Sequence, residues 1–243
     1  MAEIGYGYGS EWHLMRFMAR HRELLENAVR QIVNERNGRF KWLDFEFSKN
    51  PRKPITGDIE IQGLQFLKKL IDNENLFQNI LSEYKKTGIN KINTWQSWDA
   101  VFELNKIIYL VEAKAHVGEL RDDNIDGHGG SSKENIKNFI YDNLKEQNIF
   151  IKKENCIGPY YQLANRLATA AFLTNRGLQT RCIYIYFLNG YENQEDNKSV
   201  ACPEMYLDEI HNEIADLGLN QDQLNSLLFH VFIDAKTGDH RLP

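Results

Sequence analysis

The sequence is short of cysteine, of clustered positive charge and of long apolar runs. Only three cysteines occur in 243 residues, Cys156, Cys182 and Cys202. They are far apart and odd in number, which suggests neither a disulfide framework nor a zinc site. The seven histidines are scattered and form no His-x-x-x-His pair, so a zinc enzyme is not expected. Net charge is −5, which argues against nonspecific coating of nucleic acid, since that needs clustered Lys and Arg. A nucleic-acid enzyme is not excluded, because bound cations can offset acidic ligands. No run approaches the roughly 20 apolar residues of a membrane span. The start, "MAEIGYGYGSEWH", lacks the basic and apolar regions of a secretory signal. The expectation is a cytoplasmic protein without a membrane partner.

Internal repeats, low-complexity linkers and shifts of composition are also missing, so one domain over residues 1–243 is the simplest reading. With 42% hydrophobic and 12% aromatic residues, the chain can bury a sizeable core. Ser10 is a candidate N-cap for a helix to about Asn34. "WLDFEF" (42–47) reads as a strand, followed by the loop "NPRKPITGD". Helical spacing runs from about 62 to 87, and strands fit Asp99–Leu104 and Ile107–Lys114. Ser131 with Glu134 forms a capping box for a helix to about Lys145, and Pro159 opens one to about Asn175. A strand at Arg181–Leu188, a helix at Met205–Leu217, a short helix at Gln221–Leu228 and a strand at Phe229–Asp234 follow. This pattern predicts an α/β fold with a central mixed sheet flanked by helices.

The stretch "WDAVFELNKIIYLVEAKAH" carries the chemistry. A two-residue turn at Asn105-Lys106 sets Leu104 opposite Ile107, Phe102 opposite Tyr109, and Asp99 opposite Glu112. Alternation then puts Asp99, Glu112 and Lys114 on one face. Two carboxylates so placed repel and call for protons or cations. A divalent metal such as Mg²⁺, which takes a few carboxylate oxygens and keeps waters, is a natural solution. Lys114 beside it could stabilise a phosphate or orient water. The tripeptide itself is weak, occurring also at Glu83-Lys85, Asp196-Lys198 and Asp234-Lys236. Only the Glu112 copy has a carboxylate set opposite it by a hairpin. The bland alternative is a salt-bridged strand end.

Asp99, twelve intervening residues and Glu112-Ala113-Lys114 resemble the signature of the PD-(D/E)XK nuclease superfamily, the restriction-endonuclease-like fold. Trp98 stands where that family's name has proline. The order helix, strand, hairpin, helix, strand also looks like its core, here at about 10–47 and 97–190. "GYGSEWHL", "VEAKAH" and "YYQLANRLA" resemble bacterial members. The resemblance implies a Mg²⁺-dependent phosphodiester hydrolase, with Mn²⁺ as a substitute, and we expect an endonuclease on DNA. Asp99, Glu112 and the Ala113 carbonyl would hold the metal, and Lys114 would assist the water. Pairing of two copies to cut both strands is compatible with this.

Members often add a helix acid. Glu11 lies on the apolar stripe of Leu14, Met18, Leu25, Val29 and Ile32, whereas Glu23 is on the polar side and Glu26 at its margin. Glu11 is therefore either a dipole-stabilised structural group or a metal ligand. Gln162, also implied by the resemblance, shares a helix face with Asn165, Arg166 and Thr169. That face is either solvated or, if it meets the cleft, brings Gln162 and Arg166 to a water or phosphate. His116 is a bystander or a general base. "DGHGGSSK" lacks P-loop spacing and reads as a loop. The competing reading of the whole is a catalytically silent binding or partner module, for example in a bacterial defence system.

Overall fold

In a computed structural model, residues 9–35, 37–43, 61–89, 96–121, 133–190 and 202–237 are described. Strand β5 (Ile107–Lys114) is buried along all eight residues, the mark of a central strand covered on both faces. On one side it pairs antiparallel with β4 (Ala100–Leu104), which pairs antiparallel with β1 (Lys41–Trp42). On the other it pairs parallel with β6 (Thr180–Leu188), and β6 pairs parallel with β7 (Leu228–Asp234). The five strands form one mixed sheet in the order β1-β4-β5-β6-β7. A second antiparallel pair joins β2 (Ile61–Gln62) to β3 (Ser97–Trp98). The chain thus has an α/β fold with helices on both faces of the sheet.

The β4–β5 register agrees with the sequence expectation at Leu104↔Ile107 and Phe102↔Tyr109, and it continues through Val101↔Leu110. Asn105 and Lys106 have φ of 52° and 64°, as the inward-twisting two-residue turn requires.

One face packs under α1 (Ser10–Arg20) and α2 (Arg22–Val33). Leu14, Phe17, Met18, Leu25 and Val29 meet Phe102, Tyr109, Val111, Ala113 and Ile185 there. The other face packs under α3 (Glu74–Lys86), α4 (Lys133–Glu146), α5 (Tyr161–Asn175) and α6 (Pro203–Leu217). Tyr84 meets Phe139 and Phe172 edge to face, and the Phe139 and Phe172 rings are tilted at 42°, so the three join α3, α4 and α5. Ala164, Ala168 and Ala171, all fully buried, let α5 lie close to the sheet. A short helix α7 (Gln221–Leu224) leads into β7. No described helix is long and apolar enough to cross a membrane.

Several boundaries differ from the sequence reading. The first helix breaks at His21, where φ is −129° and ψ 31°, and the Nε of Arg22 donates to the Met18 carbonyl across the break at 2.8 Å. Its N-cap is Gly9 rather than Ser10, which is already helical. The stretch 62–87 is no continuous helix: a 3₁₀ turn at Gln65–Lys69 precedes α3. Asn73 caps α3 by accepting from the Leu76 amide at 3.1 Å, a local side-chain bond that competes with helix continuation. The last short helix stops at Leu224 instead of Leu228. The strand residues 44–47, the loop 50–58, Ser131 and "DGHGGSS" lie outside the described residues.

Candidate functional site

Glu112 and Lys114 share the α5-side face of β5, at the end from which the strand leaves the sheet. Helix α5 presents Gln162 and Arg166 to them. Arg166 Nε donates to Glu112 Oε2 at 3.0 Å, and Lys114 Nζ donates to Glu112 Oε1 at 2.9 Å. Lys114 also donates to Gln162 Oε1 at 2.6 Å. Glu112, Lys114 and Arg166 are 5%, 4% and 8% exposed, so these charges are held in one another's company rather than by water.

The electrostatics follow from that burial. Desolvation pushes the Glu112 carboxyl upward, but Lys114 and Arg166 outweigh it and hold it below the usual range. Burial likewise works against charged Lys114, yet Glu112, Glu119 and Asp99 keep it above the ordinary lysine value. Arg166 is raised for the same reason, chiefly by Glu112. All three are therefore charged at neutral pH.

Asp99 sits at a bend just before β4. The ladder stops at Ala100↔Val111, one pair short of placing Asp99 opposite Glu112. The Asp99 amide donates to the Val111 carbonyl at 3.2 Å, and its Oδ2 accepts from the Ala113 amide at 2.6 Å. Asp99 thus reaches the backbone next to Glu112. A strand residue turns its amide and carbonyl to the same side, so the Ala113 carbonyl also points toward the Asp99 side, beyond the end of the β4 ladder.

The polar face of α5 is not solvated. Asn165 and Thr169 are buried at 2% and 0% exposure and receive the Gln96 side-chain amide, with Gln96 Nε2 to Asn165 Oδ1 at 2.6 Å. Trp98 is fully buried. The Arg166 guanidinium lies 4.6 Å from its ring centre, and Trp98 Nε1 donates to the Gly63 carbonyl at 3.2 Å. The residue just before Asp99 therefore forms a seat for Arg166.

Glu11 is on α1, which packs on the opposite face of the sheet. It sits at the same end as Lys114, because the ring of its near neighbour His13 lies 5.3 Å from that of Phe187 on β6. His116 lies beyond β5, with Nε2 3.1 Å from Glu119 Oε1. The other oxygen of Glu119 caps the Ala115 amide at 3.1 Å.

Two carboxylates near the site escaped the sequence reading. One is Glu119. The other is Glu213 on α6, 2% exposed, whose carboxyl is pushed well above its ordinary range by burial and by Glu209 and Glu112, against the pull of Lys114. Glu213 had a readable signal. Tyr206, Ile210, Ile214 and Leu217 form a helical stripe, and Glu209 and Glu213 fall on it as Glu11 does on its own. The two other described Asp/Glu-x-Lys copies are surface groups: Glu83 pairs with Lys86 on an exposed helix face, and Asp234 and Lys236 are exposed.

As oxygen donors, Asp99, Glu112 and the Ala113 carbonyl suit Mg²⁺, which binds through one or two carboxylates and keeps waters. They do not suit zinc. Among the described residues no group of three or more His, Cys, Asp or Glu converges as a metal cage, so water would have to supply the rest of the shell. No family model, curated protein or solved structure matches the chain.

Proposed function

We propose that the protein is a metal-dependent nuclease, an endonuclease on DNA, with its site at the end of β5. The observation that carries this reading is the buried junction of Asp99, Glu112 and Lys114 at the open end of the hairpin, with Gln162 and Arg166 bonded to it. A chain that only needed a stable sheet would fill these positions with apolar residues, since a buried charge cluster is weak support for stability.

Asp99, Glu112 and the Ala113 carbonyl would hold Mg²⁺. When bound, the ion would supply Lewis acidity, making a water more acidic and offsetting charge on the phosphate. The residues of the chain do the rest. Lys114 keeps its proton and directs an ammonium at the site, where it steadies charge that grows on a phosphate during in-line attack. Gln162 fixes the Lys114 amine from the far side. Arg166, seated over Trp98, neutralises Glu112 while no cation is near.

One observation favours the rival reading of a silent binding module: both Glu112 oxygens are already engaged by cations of the protein itself. Incubation of supercoiled plasmid and single-stranded DNA with Mg²⁺ or Mn²⁺ decides between them. Cleavage by the wild type that needs the ion and is lost in Lys114→Ala supports the nuclease. Cleavage that survives loss of both Glu112 and Lys114 sinks the assignment, and an inert wild type favours the silent module.

A further inference from the structure

A groove of about 920 Å³ opens at the edge of the sheet, between α2 and the edge strand β1, where Lys41 stands opposite Glu103 in the ladder. Arg22, Arg30, Arg39 and Lys41 line it, against Glu26 and Glu103. In a chain of net charge −5, four cations against two carboxylates is a local reversal of sign.

The charge of Arg30 is placed rather than cancelled. Arg30 donates to two carbonyls, of Gly38 at 2.6 Å and Glu35 at 3.4 Å, and its guanidinium lies 4.7 Å from the Phe40 ring centre. Neutral carbonyls orient a guanidinium without neutralising it. Glu26, by contrast, accepts from the Trp42 indole at 2.9 Å. Arg39 and Lys41 are exposed, and their side chains make no hydrogen bond or ion pair with a described residue. The floor is firm: Phe40 and Trp42 stack at 12° and are largely buried, so the groove offers charge more than a stacking surface. Its rim is anchored too. Asn105 Nδ2 on the hairpin turn donates to the Asn37 carbonyl at 3.0 Å and to Glu35 Oε2 at 2.7 Å. Gly38 has φ +109° and a Cβ there would collide with Asn105, so only glycine allows this approach.

A rigid groove with fixed guanidinium groups and two open cations suits a ligand with successive negative charges. We propose that the α2–β1 groove binds phosphates of a nucleic-acid backbone, at a place separate from the Asp99–Glu112–Lys114 site. This deepens the nuclease reading and rests on it for the choice of nucleic acid.

The test is fluorescence anisotropy of a labelled 20-base-pair DNA duplex with full-length protein in EDTA, at several salt concentrations. Arg39→Glu with Lys41→Glu alters only exposed side chains, and circular dichroism checks the fold. Each phosphate contact contributes about 0.9 to the slope of log affinity on log salt, so losing two lowers it by about 1.8. We expect at least about tenfold weaker binding together with that shallower slope. Equal affinity and slope in the double variant overturn the proposal. So does a groove that binds inorganic pyrophosphate while DNA affinity is unchanged by the double variant. Lys114→Ala in the same assay separates the two ideas. Loss of affinity in Arg39→Glu/Lys41→Glu, with wild-type-like binding by Lys114→Ala and no cleavage by any form, keeps the groove and removes the nuclease. Ion-dependent cleavage with no effect of the double variant on binding does the reverse.

Discussion

Arg166 bonds Glu112 at 3.0 Å while its guanidinium rests 4.6 Å above Trp98. One cation thus spans β3 and β5, and a single carboxylate serves Arg166 and Lys114 together. Glu112→Ala would strip both buried cations of their partner. Breaking a buried pair in this way costs about 3–5 kcal/mol, and urea denaturation should show a loss of that order. A loss under about 1 kcal/mol, the range of exposed pairs, would mean that Glu112 is not clasped as described.

The same clasp predicts an acid limb in the stability profile. The folded pKa of Glu112 lies below its ordinary value of 4.5, so its contribution is present above pH 4.5 and fades as pH falls through the folded value. Glu213 has the opposite sign. Its carboxyl is raised well above 4.5 by burial, so above pH 4.5 the unfolded chain gives up a proton that the folded chain retains. Glu213 therefore lowers stability progressively as pH climbs above 4.5. Glu213→Gln keeps the shape without the proton. Thermal melts from pH 5 to pH 8 should show the variant gaining on the wild type as pH rises, and parallel curves would refute the neutral buried carboxyl.

Much of this was legible in the sequence, because it depended on periodicity. The β4–β5 hairpin, its register and the choice of the Glu112 tripeptide over its copies all came from counting outward from Asn105-Lys106. The position of Asp99 did not, because a bend after Trp98 ends the ladder before the Asp99 pair, and alternation cannot foresee a bend. The polar face of α5 was likewise ambiguous. Gln162, Asn165, Arg166 and Thr169 have the pattern of a solvated face, and only tertiary packing shows that Gln96, Glu112 and Lys114 satisfy them. The break at His21 leaves little trace, since the apolar stripe of α1 continues into α2 on the same face of the sheet.

The turn itself can be tested. Lys106 holds φ of 64°, a left-handed conformation that costs a residue with a Cβ about 1 kcal/mol or more. Asn-Gly is the preferred pair in such a turn. Lys106→Gly should therefore raise the urea midpoint, by up to about 1 kcal/mol in stability. Lys106→Val should lower it. A neutral result for both would mean that the turn is not of this type.

Gln162 joins structure to function most directly. Its Oε1 accepts from Lys114 Nζ at 2.6 Å, while Glu112 binds the same amine. In Gln162→Leu, Lys114 remains charged against Glu112 but loses the neutral acceptor that aims it. Loss of one hydrogen bond to a charged group costs about 1.5–3 kcal/mol, so the fold should survive with a lower midpoint. If Lys114 acts on the phosphate in the transition state, kcat for plasmid cleavage should fall while KM stays near the wild-type value. The separation follows because Gln162 acts through the direction of the Lys114 amine, whereas DNA affinity would be set by backbone contacts elsewhere, including Arg39 and Lys41. Gln162→Glu supplies the control, since it restores an acceptor for Lys114 and should recover part of the lost kcat. A rise in KM with unchanged kcat in Gln162→Leu would instead place Gln162 in DNA binding and remove its positioning role.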